Sequence, residues 1–146
     1  FVTGELQSAD GPSTELSEPA NRRRTVYARI SRLKLDDTLM QFDYPDANVH
    51  AEKRNTTTTA IQKLFALNSP FVLARASALA DRASREAGEA TEPRVTWLYR
   101  TLFGRTPSSD ELGLAARYLA KSGTDRAAWE RYAQALLGSN EFAYLD

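Results

Sequence analysis

The chain contains no cysteine. Disulfides, thiolate metal sites, iron–sulfur clusters and a cysteine nucleophile are therefore excluded from it. That absence leaves the compartment open, because exported bacterial proteins often lack cysteine too. Histidine is almost missing: His50 stands alone, which removes a histidine-rich metal site and weakens any triad argument. Charge of one sign is not in excess, since Lys plus Arg equals Asp plus Glu at 19 each. No global field draws the chain to nucleic acid or to an acidic membrane. No stretch approaches the roughly 20 apolar residues that span a bilayer. Residues 1–13 lack both the basic region and the apolar run of a signal peptide, and no initiator methionine is present. The chain reads as a segment of something longer, so its start says nothing about where the parent goes. What is present, 42% apolar and 26% charged residues, is the balance of an ordinary globular domain.

Residues 1–21 are rich in Gly, Ser, Pro, Glu and Asn and read as a flexible tail or linker, with an extended piece at Phe1–Val2. Residues 22–146 read as a single helical domain, the C-terminal part of a larger one. The alternation of Val26, Ala28 and Ile30 against Thr25, Tyr27 and Arg29 suits a half-buried strand, with a short helix as the competing reading. No convincing partner strand follows, so its partner is expected upstream. Asp36 and Asp37 can cap a short helix carrying Leu39, Met40 and Phe42, which Pro45 ends. Ile61, Leu64 and Phe65 predict a helix closing near Asn68. Ser69-Pro70 then opens a helix running to about Ala87, where Gly88 stops it.

Val95, Leu98, Tyr99, Leu102 and Phe103 form one apolar stripe ended by Gly104. Ser108 and Glu111 make a capping box ahead of Leu112, Ala115, Ala116 and Leu119, with Gly123 as the stop. Trp129, Tyr132, Ala133, Leu136 and Leu137 repeat the stripe, and Phe142 and Tyr144 can fold back on the bundle. The expected fold is mainly α: a bundle of about five helices, with an N-terminal extended tail and one short strand. Trp97 or Trp129, with Tyr99, Phe103 and Tyr132, is expected to anchor its core.

Polar residues concentrate in segment 42–68. Asp46, Asn48, His50 and Glu52 alternate as ligands of a calcium loop do, but the central glycine and the distal glutamate are missing. Asx turns and caps explain the same residues more simply. Arg54 beside the amides of Thr56–Thr59 suits an anion at a helix N-terminus; alternatively it pairs internally with Asp43 or Asp46. Asp43 and Asp46 could do acid–base work, but nothing identifies a nucleophile. Arg22-Arg23-Arg24 with Arg29, Arg32 and Lys34 could hold nucleic acid, yet such a run on a neutral chain is usually a solvated face. Asn55-Thr56-Thr57 fits the glycosylation sequon, a match attributed to chance.

Several pieces occur together in a particular order: Asn21-Arg22-Arg23-Arg24-Thr25-Val26-Tyr27; Phe42-Asp43 with Pro45-Asp46 and Asn48; Arg54, Thr56 and Thr58; Gln62, Leu64 and Leu67-Asn68-Ser69-Pro70-Phe71-Val72; Tyr99-Arg100, Leu102-Phe103-Gly104-Arg105, Pro107 and Glu111-Leu112; and Ala135–Phe142. This order, over about residues 20–146, resembles the C-terminal half of the planctomycete-type domain of unknown function 1553. The resemblance implies the end of a large bacterial multidomain protein, an envelope or exported setting, and redox or polysaccharide-related neighbours. It implies no established reaction. The haem motif C-x-x-C-H is absent, so any cytochrome function belongs elsewhere in such a protein.

The expected function is a non-catalytic structural or interaction module that packs against upstream sequence of the same polypeptide or against another protein. It is expected to use no cofactor or metal of its own and no nucleic acid, and to have no membrane span. The competing expectation is half of an anion- or carbohydrate-binding or catalytic site, made by Asp43, Arg54, Thr58, Gln62 and Asn68 and completed by upstream sequence.

Overall fold

Helix starts and stops are written into the sequence, and the side chains that write them do so in the structure. A computed structural model describes residues 1–8, 11–31, 33–45, 48–50, 52–53, 57 and 59–144. Seven α-helices occur among them: α1 (Asp37–Gln41), α2 (Ala60–Asn68), α3 (Pro70–Ala87), α4 (Thr91–Phe103), α5 (Ser109–Ser122), α6 (Arg126–Leu137) and α7 (Asn140–Ala143). The fold is mainly helical, as the periodicity requires, and five of the helices run nine residues or longer. Asp36, Ser69, Ser108, Asp125 and Ser139 each accept a backbone N–H of the helix they precede. Those bonds satisfy amides that have no partner inside the helix.

The expected strand is corrected. Thr25–Tyr27 forms a single 3-10 turn, and no strand occurs among the described residues. One isolated parallel bridge joins Ala28 to Thr14, with Arg29 N–H donating to the Thr14 carbonyl at 2.9 Å, so the pairing partner lies within this chain. The alternating pattern has no buried face: Val26 is 79% exposed and Tyr27 54%. A strand pattern needs an apolar surface to cover. Without one, the local bonds Tyr27 N–H to Arg24 O and Ala28 N–H to Thr25 O prevail.

The chain forms two compact units, residues 1–5 with 66–146 and residues 6–65. In the first, the core is built on α3 and α6, the most extensively packed pair. Ala76, Leu79, Ala80 and Ala83 make one face of α3, and Ala128, Trp129, Tyr132, Ala133 and Leu136 one face of α6. Alanines on both faces let the backbones approach, while Trp129 fills the remaining volume in the way close packing demands. Val95, Leu98 and Tyr99 of α4 and Ala115 and Leu119 of α5 complete the core. Trp97 and Phe103 pack against it only partly buried. Residues 1–5 are held to α3: Arg82 donates to the carbonyls of Phe1 and Val2, and Glu5 pairs with Arg75 at 3.0 Å.

The second unit is held chiefly by polar bonds. Arg23 donates to the carbonyls of Gly11 and Pro12, Gln7 N–H to Arg22 O, and Asn21 to Glu15 O. Phe42 and Phe65 meet edge to face at 5.2 Å. Leu39 is the only buried hydrophobic side chain among its described residues.

Candidate functional site

The polar segment is organised by helix ends. After α1 the chain turns at Asp43, whose φ of 55° is the only positive value among the described non-glycine residues. Tyr44 N–H returns to the Leu39 carbonyl at 3.1 Å, the bond of a helix terminated by a left-handed residue. Asp tolerates that conformation better than most side chains. The Asp43 carboxylate then accepts both the N–H of Thr57, at 2.7 Å, and its hydroxyl, at 2.8 Å. It thereby ties the end of α1 to the approach of α2, fourteen residues on.

Gln62 is buried at the start of α2. Its Oε1 accepts from Thr59 N–H at 3.1 Å, and its own N–H donates to Thr59 Oγ1 at 3.3 Å. This is a reciprocal capping box. Its Nε2 donates to the Gln41 carbonyl at 2.9 Å, joining the two helices. Asp43 and Gln62 are thus brought to the same α1–α2 junction, each with its polar atoms in hydrogen bonds. Arg54 and Thr58 lie outside the described residues, as does Asp46. Asn68, the last residue of α2, belongs to the helical unit. Among the described residues, no group of three or more His, Asp or Glu could hold a metal ion.

Charged clusters that sequence reasoning did not single out lie in the helical unit. Gly104 ends α4 in the left-handed conformation, at φ 70°. The next residue, Arg105, is gripped on two sides. It donates to Glu111 at 2.7 and 2.9 Å and to Glu141 at 2.6 and 2.8 Å. Its guanidinium also lies over the Tyr99 ring, 5.3 Å from the centroid. Glu111 in addition accepts Ser108 N–H as the capping-box carboxylate. Arg105 and the Ser108 amide together hold Glu111 at a pKa of about 2. Arg105 likewise lowers that of Glu141. Beneath the clamp, burial raises the pKa values of Tyr99 and Tyr132.

Arg94 is a buried cation, 3% exposed. It donates to the Gly88 carbonyl that closes α3 and to Glu89, and stacks on Trp129 at 4.4 Å. Across the α3–α6 contact, Arg126 donates to both oxygens of Asp81 at 2.9 Å, and Ser77 donates to Glu130 at 2.8 Å. The Arg126 contact lowers the pKa of Asp81. The Arg105–Glu111 half of the clamp was discoverable from sequence, since Glu111 is the capping-box residue. Glu141 and the Asp81–Arg126 pair carry no local signal, because their partners are 36 and 45 residues distant. An open cleft of about 390 Å³ lies beside α4, lined by Ala87, Glu92, Pro93, Thr96, Trp97 and Arg100.

No described helix is long and apolar enough to cross a membrane. Neither the curated proteins nor the solved structures contain a significant match to the chain. A family model described as "Protein of unknown function (DUF1553)" matches residues 1–119, taking in the α1–α2 junction, the helix-stop at Gly104 and the Arg105–Glu111 half of the clamp. That match spans most of the 146 residues, and the chain belongs to this family of proteins of unknown function.

Proposed function

We propose that this chain is a non-catalytic structural and interaction module of a larger protein, one whose α2 surface is covered by another part of the same polypeptide. The observation that carries this reading is the outward face of α2. Ile61 and Leu64 stand 60% and 55% exposed, three residues apart on the part of α2 that belongs to the second unit. A helix of nine residues is marginal in water without tertiary cover. Two large aliphatic side chains left uncovered side by side on such a helix fit a docking stripe.

The electrostatics favour a scaffold over a catalyst. The carboxyls of Asp81, Glu86, Glu89, Glu111 and Glu141 in the helical unit are displaced downward by hydrogen bonds, with an arginine contributing to each. A general acid needs the opposite shift. The anion or carbohydrate reading of Asp43, Arg54, Thr58, Gln62 and Asn68 would require Asp43 and Gln62 to give up bonds that define the α1–α2 junction.

Hydrogen exchange tests the proposal. Amides of residues 62–68 should exchange faster in this chain alone than in the longer polypeptide. Equal protection in both would overturn the reading, as would turnover of any substrate by the isolated chain that Asp43→Asn abolishes.

A further inference from the structure

The neutrality of the whole chain conceals a local imbalance. Between Arg22 and Lys34 the sequence holds six cations (Arg22, Arg23, Arg24, Arg29, Arg32 and Lys34) and no acid. Arg24, Arg29 and Lys34 are exposed. Interleaved with them, Val26, Tyr27, Ile30 and Leu33 are 79%, 54%, 36% and 100% exposed. The segment is tied to residues 11–14 of the chain. Arg23 is tied to the carbonyls of Gly11 and Pro12, and Arg29 N–H to Thr14 O. Of the neighbouring acids, Glu15 meets Arg29 at 3.5 Å in a pair that is mostly exposed on both sides, and Asp36 is engaged as the cap of α1. Such a surface pair is easily exchanged for another anion.

We propose that residues 22–34 are a peripheral docking surface for anionic lipid, acting independently of the α2 stripe. Three features select this partner. Interleaved cations and aliphatic side chains match an interface where charge meets headgroups and the apolar tips enter the acyl boundary. Leu33 stands wholly clear of the fold, and a fluid medium buries such a side chain without needing a shaped pocket. Nucleic acid is a poorer fit, because single strands are held largely by stacking on aromatic rings. The segment offers one ring, Tyr27, and the Arg23 guanidinium already lies over it at 4.9 Å.

Co-sedimentation of the full chain with vesicles is the test, using phosphatidylcholine alone and phosphatidylcholine containing phosphatidylserine. The chain should pellet with the anionic vesicles only, and high salt should release it. Arg24→Gln and Lys34→Gln should each weaken binding about fivefold. Leu33→Asp should weaken it further while leaving the circular dichroism spectrum unchanged, and Val26→Asn supplies a second apolar probe. Equal pelleting with neutral vesicles, wild-type binding by Leu33→Asp and Val26→Asn, or no pelleting at all would each overturn the proposal. So would retention of a single-stranded oligonucleotide or of polyglutamate by a chain that ignores vesicles.

Discussion

Replacing Trp129 by alanine should remove most of the stability of the helical unit. The indole is 3% exposed and makes an edge-to-face contact with Tyr132, centroids 6.0 Å apart. Burial of an aromatic ring takes roughly 150–250 Å² from water, worth about 4–6 kcal/mol as an upper bound. Measured truncations of buried Phe and Trp cost about 3–5 kcal/mol. The ring also carries the Arg94 guanidinium at 4.4 Å, and a desolvated cation–π contact adds about 2 kcal/mol. A loss of about 5 kcal/mol is comparable to the whole stability of a small domain, about 5–15 kcal/mol. Urea unfolding followed by circular dichroism reads it out, with Trp97→Ala as the control because Trp97 is only partly buried. Trp129→Phe should cost far less, since a ring remains to fill the space and support Arg94. A loss from Trp129→Ala below about 2 kcal/mol, or no larger than that from Trp97→Ala, would refute the claim that α3 and α6 close around this side chain.

Three further outcomes follow from the helix ends and the clamp. Glu111 has its pKa lowered from 4.5 to about 2, so its contribution is complete above the unfolded value and is lost as pH falls from about 4.5 to 2. The gap in melting temperature between the wild type and Glu111→Gln should therefore be largest near neutral pH and shrink across that window; a constant gap would contradict the clamp. Gly104→Ala should cost about 1 kcal/mol, because φ is 70° while nothing lies within 4 Å of an added Cβ; an unchanged urea midpoint would mean the backbone relaxes. Asp43→Ala should destabilise by about 1 kcal/mol more than Asp43→Gly, since glycine keeps the left-handed turn and loses only the carboxylate. Equal effects would show that Thr57, not the turn, sets the role of Asp43.

The helices α3 to α6 were legible because each carries punctuation at one end or both, although α4 starts without a side-chain cap bond and α7 was expected only as a tail folding back. Ser69-Pro70, Gly88, Ser108 with Glu111, and Asp125 act within one turn of where they stand, so sequence proximity is spatial proximity. The early segment lacked that property. Val26, Ala28 and Ile30 alternate as a strand does, but alternation states only which side chains could share a face, not whether a surface exists to receive it. The candidate site was legible only as a concentration of polar residues. Asp43 and Gln62 do meet at one junction, but an acceptor that caps a helix and an acceptor that binds a ligand are the same residue types at the same place. The partner decides between them, and Asp43 and Gln62 have chain partners: Thr57 for the one, Thr59 and Gln41 for the other.

The same logic explains the densest motif in the chain, Tyr99-Arg100 through Glu111-Leu112. Read as chemistry, an arginine flanked by aromatics and followed by a glutamate suggests a ligand clamp. In the structure the parts are successive steps of one turn. Gly104 lets α4 end and sets the Arg105 guanidinium over the Tyr99 ring. Glu111 caps α5 as a carboxylate, and Arg105 supplies the countercharge that keeps it ionised, reaching on to Glu141 in α7. An arginine with its fork filled by two carboxylates has little left to offer an incoming anion. Joining α4, α5 and α7 therefore occupies the charged groups of this motif.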